Sequence, residues 1–152
     1  MGPLLTLQES GFAEAMRTSY FLYPTANVVH VLAALIFFAS VAAMDIRVFR
    51  SVTVSEAREA MRGIRVAAIV AFLVQVASGV MLFAPEATHI FENPVYRIKL
   101  VAILLGLLNV LWLEVMLRRG VGVLPGGAKA SAVASIAVWL SVAALGRLIA
   151  YF

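Results

Sequence analysis

Cysteine is absent from the 152 residues, and histidine occurs only twice. Disulfides, thiolate metal sites and catalytic thiols are therefore excluded. The chain also has no glycine-rich phosphate loop, no His-x-x-His or His-Glu-x-x-His spacing and no serine-nucleophile motif. Charged residues make up only 13% of the chain, whereas a soluble domain typically has about 25%.

Apolar residues dominate the sequence instead. They make up 63% of the sequence, and the mean hydropathy is +1.00. A soluble domain of this length leaves roughly a third of its unfolded surface exposed to water, so the lipid bilayer is the better solvent. The net charge of +4 fits basic membrane loops, and we predict no nucleic-acid partner.

Four segments are long and apolar enough to cross a bilayer, which takes about 20 residues each. Pro24 and Pro94 begin two of them, at a position where a helix tolerates proline. Residues 4–19 alternate apolar and polar side chains and predict an amphipathic helix in the membrane interface. The predicted fold is all-α, a four-transmembrane-helix bundle in one domain, residues 1–152, with spans at 24–48, 64–83, 94–117 and 131–152.

Basic residues collect in two of the predicted links. These are Arg47, Arg50, Arg58, Arg62, Arg65, Arg118, Arg119 and Lys129. Links rich in Arg and Lys face the cytoplasm. We therefore predict a bacterial inner-membrane protein with no cleaved signal peptide, and with both termini and the 84–93 loop on the periplasmic side.

The two halves of the chain resemble each other at an offset of 69 residues. His30 then matches Lys99, Asp45 matches Glu114, and residues 64–83 fall on 133–152. Two helices per repeat give both repeats the same orientation in the membrane. The offset favours two parallel two-helix repeats.

Ionisable residues inside a membrane are costly and are candidates for function. Five of them are expected near the periplasmic face: His30, His89, Arg97, Lys99 and Arg147. A histidine in a bundle with cations nearer the surface is typical of heme, because imidazole binds the iron and basic side chains bind the propionates. We predict heme b with His30 as the iron ligand and with Arg97 and Arg147 on the propionates.

Structural interpretations stay open beside this one. His30 is also suited to a hydrogen bond between helices. Arg97, Lys99 and Arg147 can extend to the interface, and His89 can be solvated in its loop. Asp45 and Glu114 are expected to pair with neighbouring arginines.

Four stretches resemble an uncharacterised family of bacterial four-helix membrane proteins. They are Tyr23-Pro24-Thr25-Ala26-Asn27-Val28-Val29-His30, Met44-Asp45-Ile46-Arg47, Asn93-Pro94-Val95-Tyr96-Arg97-Ile98-Lys99 and Gly146-Arg147-Leu148-Ile149-Ala150-Tyr151-Phe152. An early-helix His with a third-helix Lys is also distantly similar to the oxygen-independent protoporphyrinogen oxidase family and to the membrane domain of copper resistance protein D. That resemblance implies heme b on His30, with Lys99 as second ligand or propionate partner.

Three functions follow as hypotheses. The first is a heme-b protein for electron transfer or porphyrin redox chemistry, with Lys99 or His89 as sixth ligand or with that position open. The alternative is a non-catalytic membrane subunit that assembles with a larger complex or with itself. The third, a small transporter or metal-ion protein, is supported only by the repeat.

Overall fold

The computed structural model describes residues 2–151, and this part of the chain is helical without a β-strand. Eight α-helices follow one another, and short 3-10 turns at Ala84–Glu86 and Ile149–Tyr151 supplement them. The helices are α1 Pro3–Gln8, α2 Gly11–Thr18, α3 Leu22–Arg50, α4 Val54–Arg62, α5 Arg65–Phe83, α6 Ala87–Glu92, α7 Pro94–Arg119 and α8 Gly126–Leu148.

Four helical stretches are long and apolar enough to cross a membrane: Leu22–Arg50, Arg65–Glu92, Pro94–Arg119 and Gly126–Tyr151. The predicted all-α, four-span fold is confirmed. The fourth span was expected to begin at residue 131. Instead α8 begins at Gly126, directly after Pro125, because the two glycines form its first turn rather than the preceding link.

The predicted interfacial helix over residues 4–19 is divided in two. The Ser10 hydroxyl accepts a hydrogen bond from the Ala13 N–H and caps α2, as serine does at the start of many helices. The two pieces fold back on the protein, where Arg17 Nη1 donates to the carbonyls of Gln8 and Pro85. This segment therefore covers one end of the bundle.

That end is called the terminal end, and it comprises residues 2–21, 84–93 and 149–151. The opposite, basic end comprises α4 and the links 51–53 and 120–125. There the two links pair, because the Val54 N–H donates to Gly122 O at 3.0 Å and the Leu124 N–H donates to Val52 O at 2.8 Å. Gly122 has a φ of +75°, which an L side chain rarely adopts.

The four long helices do not contact one another equally. Helix α3 packs against α5 and α8, and α8 packs against α7. Helices α5 and α7 approach each other less closely and meet near their ends. Arg65 Nη2 lies 2.6 Å from Glu114 Oε2 at the basic end, and the rings of Phe83 and Tyr96 stack with centroids 5.4 Å apart at the terminal end.

An aromatic cluster fills the centre of the bundle. Trp139 of α8 lies edge-on to Phe37 with ring centroids 4.7 Å apart, and both rings contact Phe72. Gly106 of α7 admits the indole, since a Cβ there would lie 2.8 Å from Trp139 Cζ2. Helix α7 therefore approaches α8 closely only because position 106 has no side chain.

Both halves have the hairpin arrangement of the predicted repeat, but the contact partners do not match, because Gly79 corresponds at the offset of 69 to Leu148 and not to Gly146. Each half is a hairpin of two packed helices, α3 with α5 and α7 with α8. His30 of the first hairpin lies against Gly79, and the matched Lys99 of the second lies against Gly146. The match is incomplete, because α3 packs on α8 whereas α7 does not pack equally on α5.

Candidate functional site

His30 lies on α3 in the terminal half of the bundle and is partly buried. Its Nδ1 is 3.0 Å from the hydroxyl oxygen of Ser78 on α5. That hydroxyl already donates its only proton to the carbonyl of Val74 or Gln75, at 2.7 and 3.2 Å. With its proton on a backbone carbonyl, the serine oxygen accepts from the His30 Nδ1–H, and this tautomer leaves a lone pair on Nε2; if the hydroxyl turns to Nδ1 instead, Nε2 carries the proton.

Gly79 lets the imidazole lie close to the backbone of α5. A Cβ at this position would be 3.3 Å from His30 Cε1 and 3.7 Å from Nδ1. Any larger residue would press on the ring and disturb its hydrogen bond to Ser78. Ser78 and Gly79 thus hold the imidazole of His30 in this orientation.

Lys99 is the second ionisable residue that the fold brings to this region. It is partly buried on α7, and its Nζ would be 3.3 Å from a Cβ at Gly146. His30 and Lys99 therefore lie on different helices, each against a glycine of the helix that packs on it.

The other three predicted site residues, Arg97, Arg147 and His89, are exposed, and the two arginines contact aromatic residues close to them in the sequence. Arg97 Nε donates to Phe91 O at 2.8 Å, and its guanidinium lies 5.4 Å from the centre of the Phe91 ring. Arg147 Nη2 donates to the Tyr151 hydroxyl at 2.8 Å, and its guanidinium lies 5.0 Å from the centre of the Tyr151 ring. His89 is exposed on α6. None of the three forms a hydrogen bond with His30 among the described residues.

Of the two acidic residues that were expected to pair with arginines, Glu114 does so and Asp45 does not. Glu114 binds Arg65 and Arg118, as predicted. Asp45 does not pair with an arginine; it is 5% exposed, and its Oδ2 has no hydrogen-bond partner within residues 2–151. Asp45 faces α8, where Ser135 is beside it, whereas the arginines that follow it on α3 are exposed.

Sequence reasoning missed Ser78 as the partner of His30. A serine in an apolar helix is an ordinary helix-packing residue, and only the packing of α3 on α5 reveals its role. Arg17 was also missed, because its contact with Pro85 depends on how α2 folds over the terminal end.

Two cavities open on the surface of the bundle. One, of about 410 Å³, lies at the terminal end between α2, the start of α3 and the end of α5. The other, of about 330 Å³, lies at the basic end between α4, α5 and α7. His30 and Lys99 line neither of them. Residues 2–151 contain no group of three His, Asp or Glu side chains that could hold a metal ion.

Comparison with known proteins assigns the chain to a family. The model of a family of unknown function, DUF6644, matches residues 9–152. The chain belongs to this family. The predicted membership of an uncharacterised family is confirmed by this match. No curated protein and no solved structure matches the chain, and the two more distant likenesses have no support from the comparisons.

Proposed function

We propose that this DUF6644 protein binds heme b through His30 Nε2 and serves electron transfer or porphyrin redox chemistry. The observation that carries the proposal is the hydrogen bond between His30 Nδ1 and Ser78. A histidine that binds iron through one nitrogen commonly has its other N–H held in this way, which fixes the tautomer and the ring orientation.

The ligand set favours a porphyrin over a bare metal ion. No cluster of three metal-binding side chains occurs in residues 2–151, so His30 would need a group that brings its own ligands. Heme does so with four ring nitrogens, and one histidine is enough to hold its iron. When bound, heme would supply a one-electron redox couple.

A flat group on His30 would have to occupy the region where α5 and α7 pack less closely. These helices meet at the Arg65–Glu114 and Phe83–Tyr96 contacts and pack less closely between them. Gly79 gives the imidazole of His30 its place against α5. A macrocycle on His30 would enter from this side.

Lys99 is the cation best placed to serve such a group. Lys99 is partly buried on α7 in the same half of the bundle as His30; it would bind a heme propionate as the ammonium, or the iron as the neutral amine. Arg97 and Arg147 would first have to leave Phe91 and Tyr151.

The test is the absorption spectrum of protein purified from heme-replete cells, oxidised and then reduced with dithionite. We expect a Soret band and sharp α and β bands on reduction. His30→Ala should abolish them, and His89→Ala should retain them, since His89 is exposed on α6. Ser78→Ala should keep the bands with a changed midpoint potential.

Two results would contradict the proposal. One is a featureless spectrum from folded, heme-replete protein. The other is equal loss of the bands in the two histidine variants. A featureless spectrum, together with a partner retained through mild detergent, would favour the alternative of a non-catalytic subunit.

A further inference from the structure

The cavity at the basic end is lined mainly by arginines. Its walls are formed by Arg58, Arg62, Arg65, Val66, Glu114, Leu117 and Arg118. Four arginines and one glutamate give the lining a formal charge of +3. The volume of about 330 Å³ is at the lower end of the range for small-ligand sites.

Two of these arginines are held in place by the protein. Arg58 Nε donates to Leu117 O at 2.7 Å, and its Nη2 donates to the carbonyls of Arg118 and Gly120 at 3.1 and 2.9 Å. These are carbonyls at the end of α7 that have no partner within the helix. Arg65 uses both of its terminal nitrogens on Glu114.

Several donors around the cavity remain unused. Arg118 binds Glu114 only through Nε, and Arg58 Nη1 has no acceptor among the described residues. Arg62, one turn after Arg58, takes part in no ion pair within residues 2–151. Because Glu114 is already shared by two arginines, it cannot neutralise the rest.

We infer that this cavity binds the phosphate group of an anionic lipid headgroup. Arginine forks match phosphate oxygens in geometry and charge. Basic pockets between membrane helices are known to hold such headgroups. The position favours a lipid over free phosphate, because Val66 and Leu117 give the cavity an apolar wall beside the membrane-spanning parts of α5 and α7.

The inference is tested by native mass spectrometry of delipidated protein in detergent, titrated with phosphatidylglycerol or phosphatidylcholine of equal chain length. We expect preferential binding of phosphatidylglycerol. Arg62→Gln should weaken it about fivefold, the effect of losing one basic residue near a lipid phosphate. Arg119→Gln is the matched control, since Arg119 is adjacent to Arg118 but does not line the cavity.

Thermal unfolding of both variants checks that they fold, which is expected because the Arg62 side chain supports no ion pair. Equal weakening by Arg62→Gln and Arg119→Gln would overturn the inference, because it would indicate a general effect of surface charge. Equal binding of the two lipids would overturn it as well. If the cavity bound inorganic phosphate but did not prefer phosphatidylglycerol, the ligand would be free phosphate and not a lipid headgroup. None of these results depends on heme.

Discussion

Trp139 depends on a single neighbouring residue for its place in the core. Its indole occupies the space that Gly106 leaves open on α7, and Phe37 and Phe72 contact it on other sides. Rings packed from several directions cannot move away from an added methyl group at small cost. Helix α7 would have to shift instead.

We predict that Gly106→Ala lowers the free energy of unfolding by about 1–3 kcal/mol, as expected for overpacking in a core. Thermal unfolding in detergent, followed by circular dichroism, measures the effect. The control is Gly63→Ala, where a Cβ meets no atom within 4 Å. Equal melting temperatures for the two variants would contradict this explanation.

The candidate site was only partly predictable at the level of single residues. Lys99 and His30 were expected on one side because both lie near the periplasmic ends of their helices, and in the structure each is partly buried against a glycine. Arg97 lies only two residues before Lys99, and about 200° of helix rotation therefore separates them. The two side chains therefore point away from each other. Their similar depth in the membrane gave no sign of this difference in direction.

The stability of helix α4 is expected to depend on pH, because a carboxylate caps its first turn. Thr53 Oγ1 accepts from the Glu56 N–H, and Glu56 Oε2 accepts from the backbone N–H groups of Val52 and Thr53. Those backbone donors lower the pKa of Glu56 below its ordinary value of 4.5. This capping box therefore favours the charged carboxylate in the folded state.

A lowered pKa in the folded state gives stability that is present above the unfolded pKa and lost as pH falls through the folded value. We predict that the melting temperature of the wild type drops more steeply below pH 4.5 than that of Glu56→Gln, whose amide keeps an acceptor but does not titrate there. Glu59→Gln serves as the control. Parallel curves for wild type and Glu56→Gln would rule out this role of the cap.

The elements themselves were predicted with differing success. The long spans were found because a bilayer imposes their length and apolar character. The break at Ser10 was missed because the alternation of apolar and polar side chains continues through it, and only the capping hydrogen bond to Ala13 ends one helix and begins the next. Hydrophobic periodicity shows which side of a helix is apolar. It does not show a turn between two helices when the apolar sides of both face the same way.

The whole molecule has its basic links at one end and both termini at the other. The positive-inside rule predicts that the basic end is cytoplasmic. An alkaline phosphatase fusion at the C-terminus should therefore be active, and green fluorescent protein at the same place should be dark. The reverse pattern is expected for insertions in the link 120–125. Active phosphatase at both positions would contradict a four-span arrangement with this orientation.

The incomplete symmetry of the bundle bears on how such a chain can arise. Two identical two-helix chains could form a similar four-helix arrangement. Every pair of matched positions would then carry the same residue in both chains. Fusion of two copies after gene duplication removes that constraint. The chain can keep an imidazole at His30 and an ammonium at Lys99, or a ring at Phe37 and an open space at Gly106. A strictly symmetric ancestor could not separate these roles.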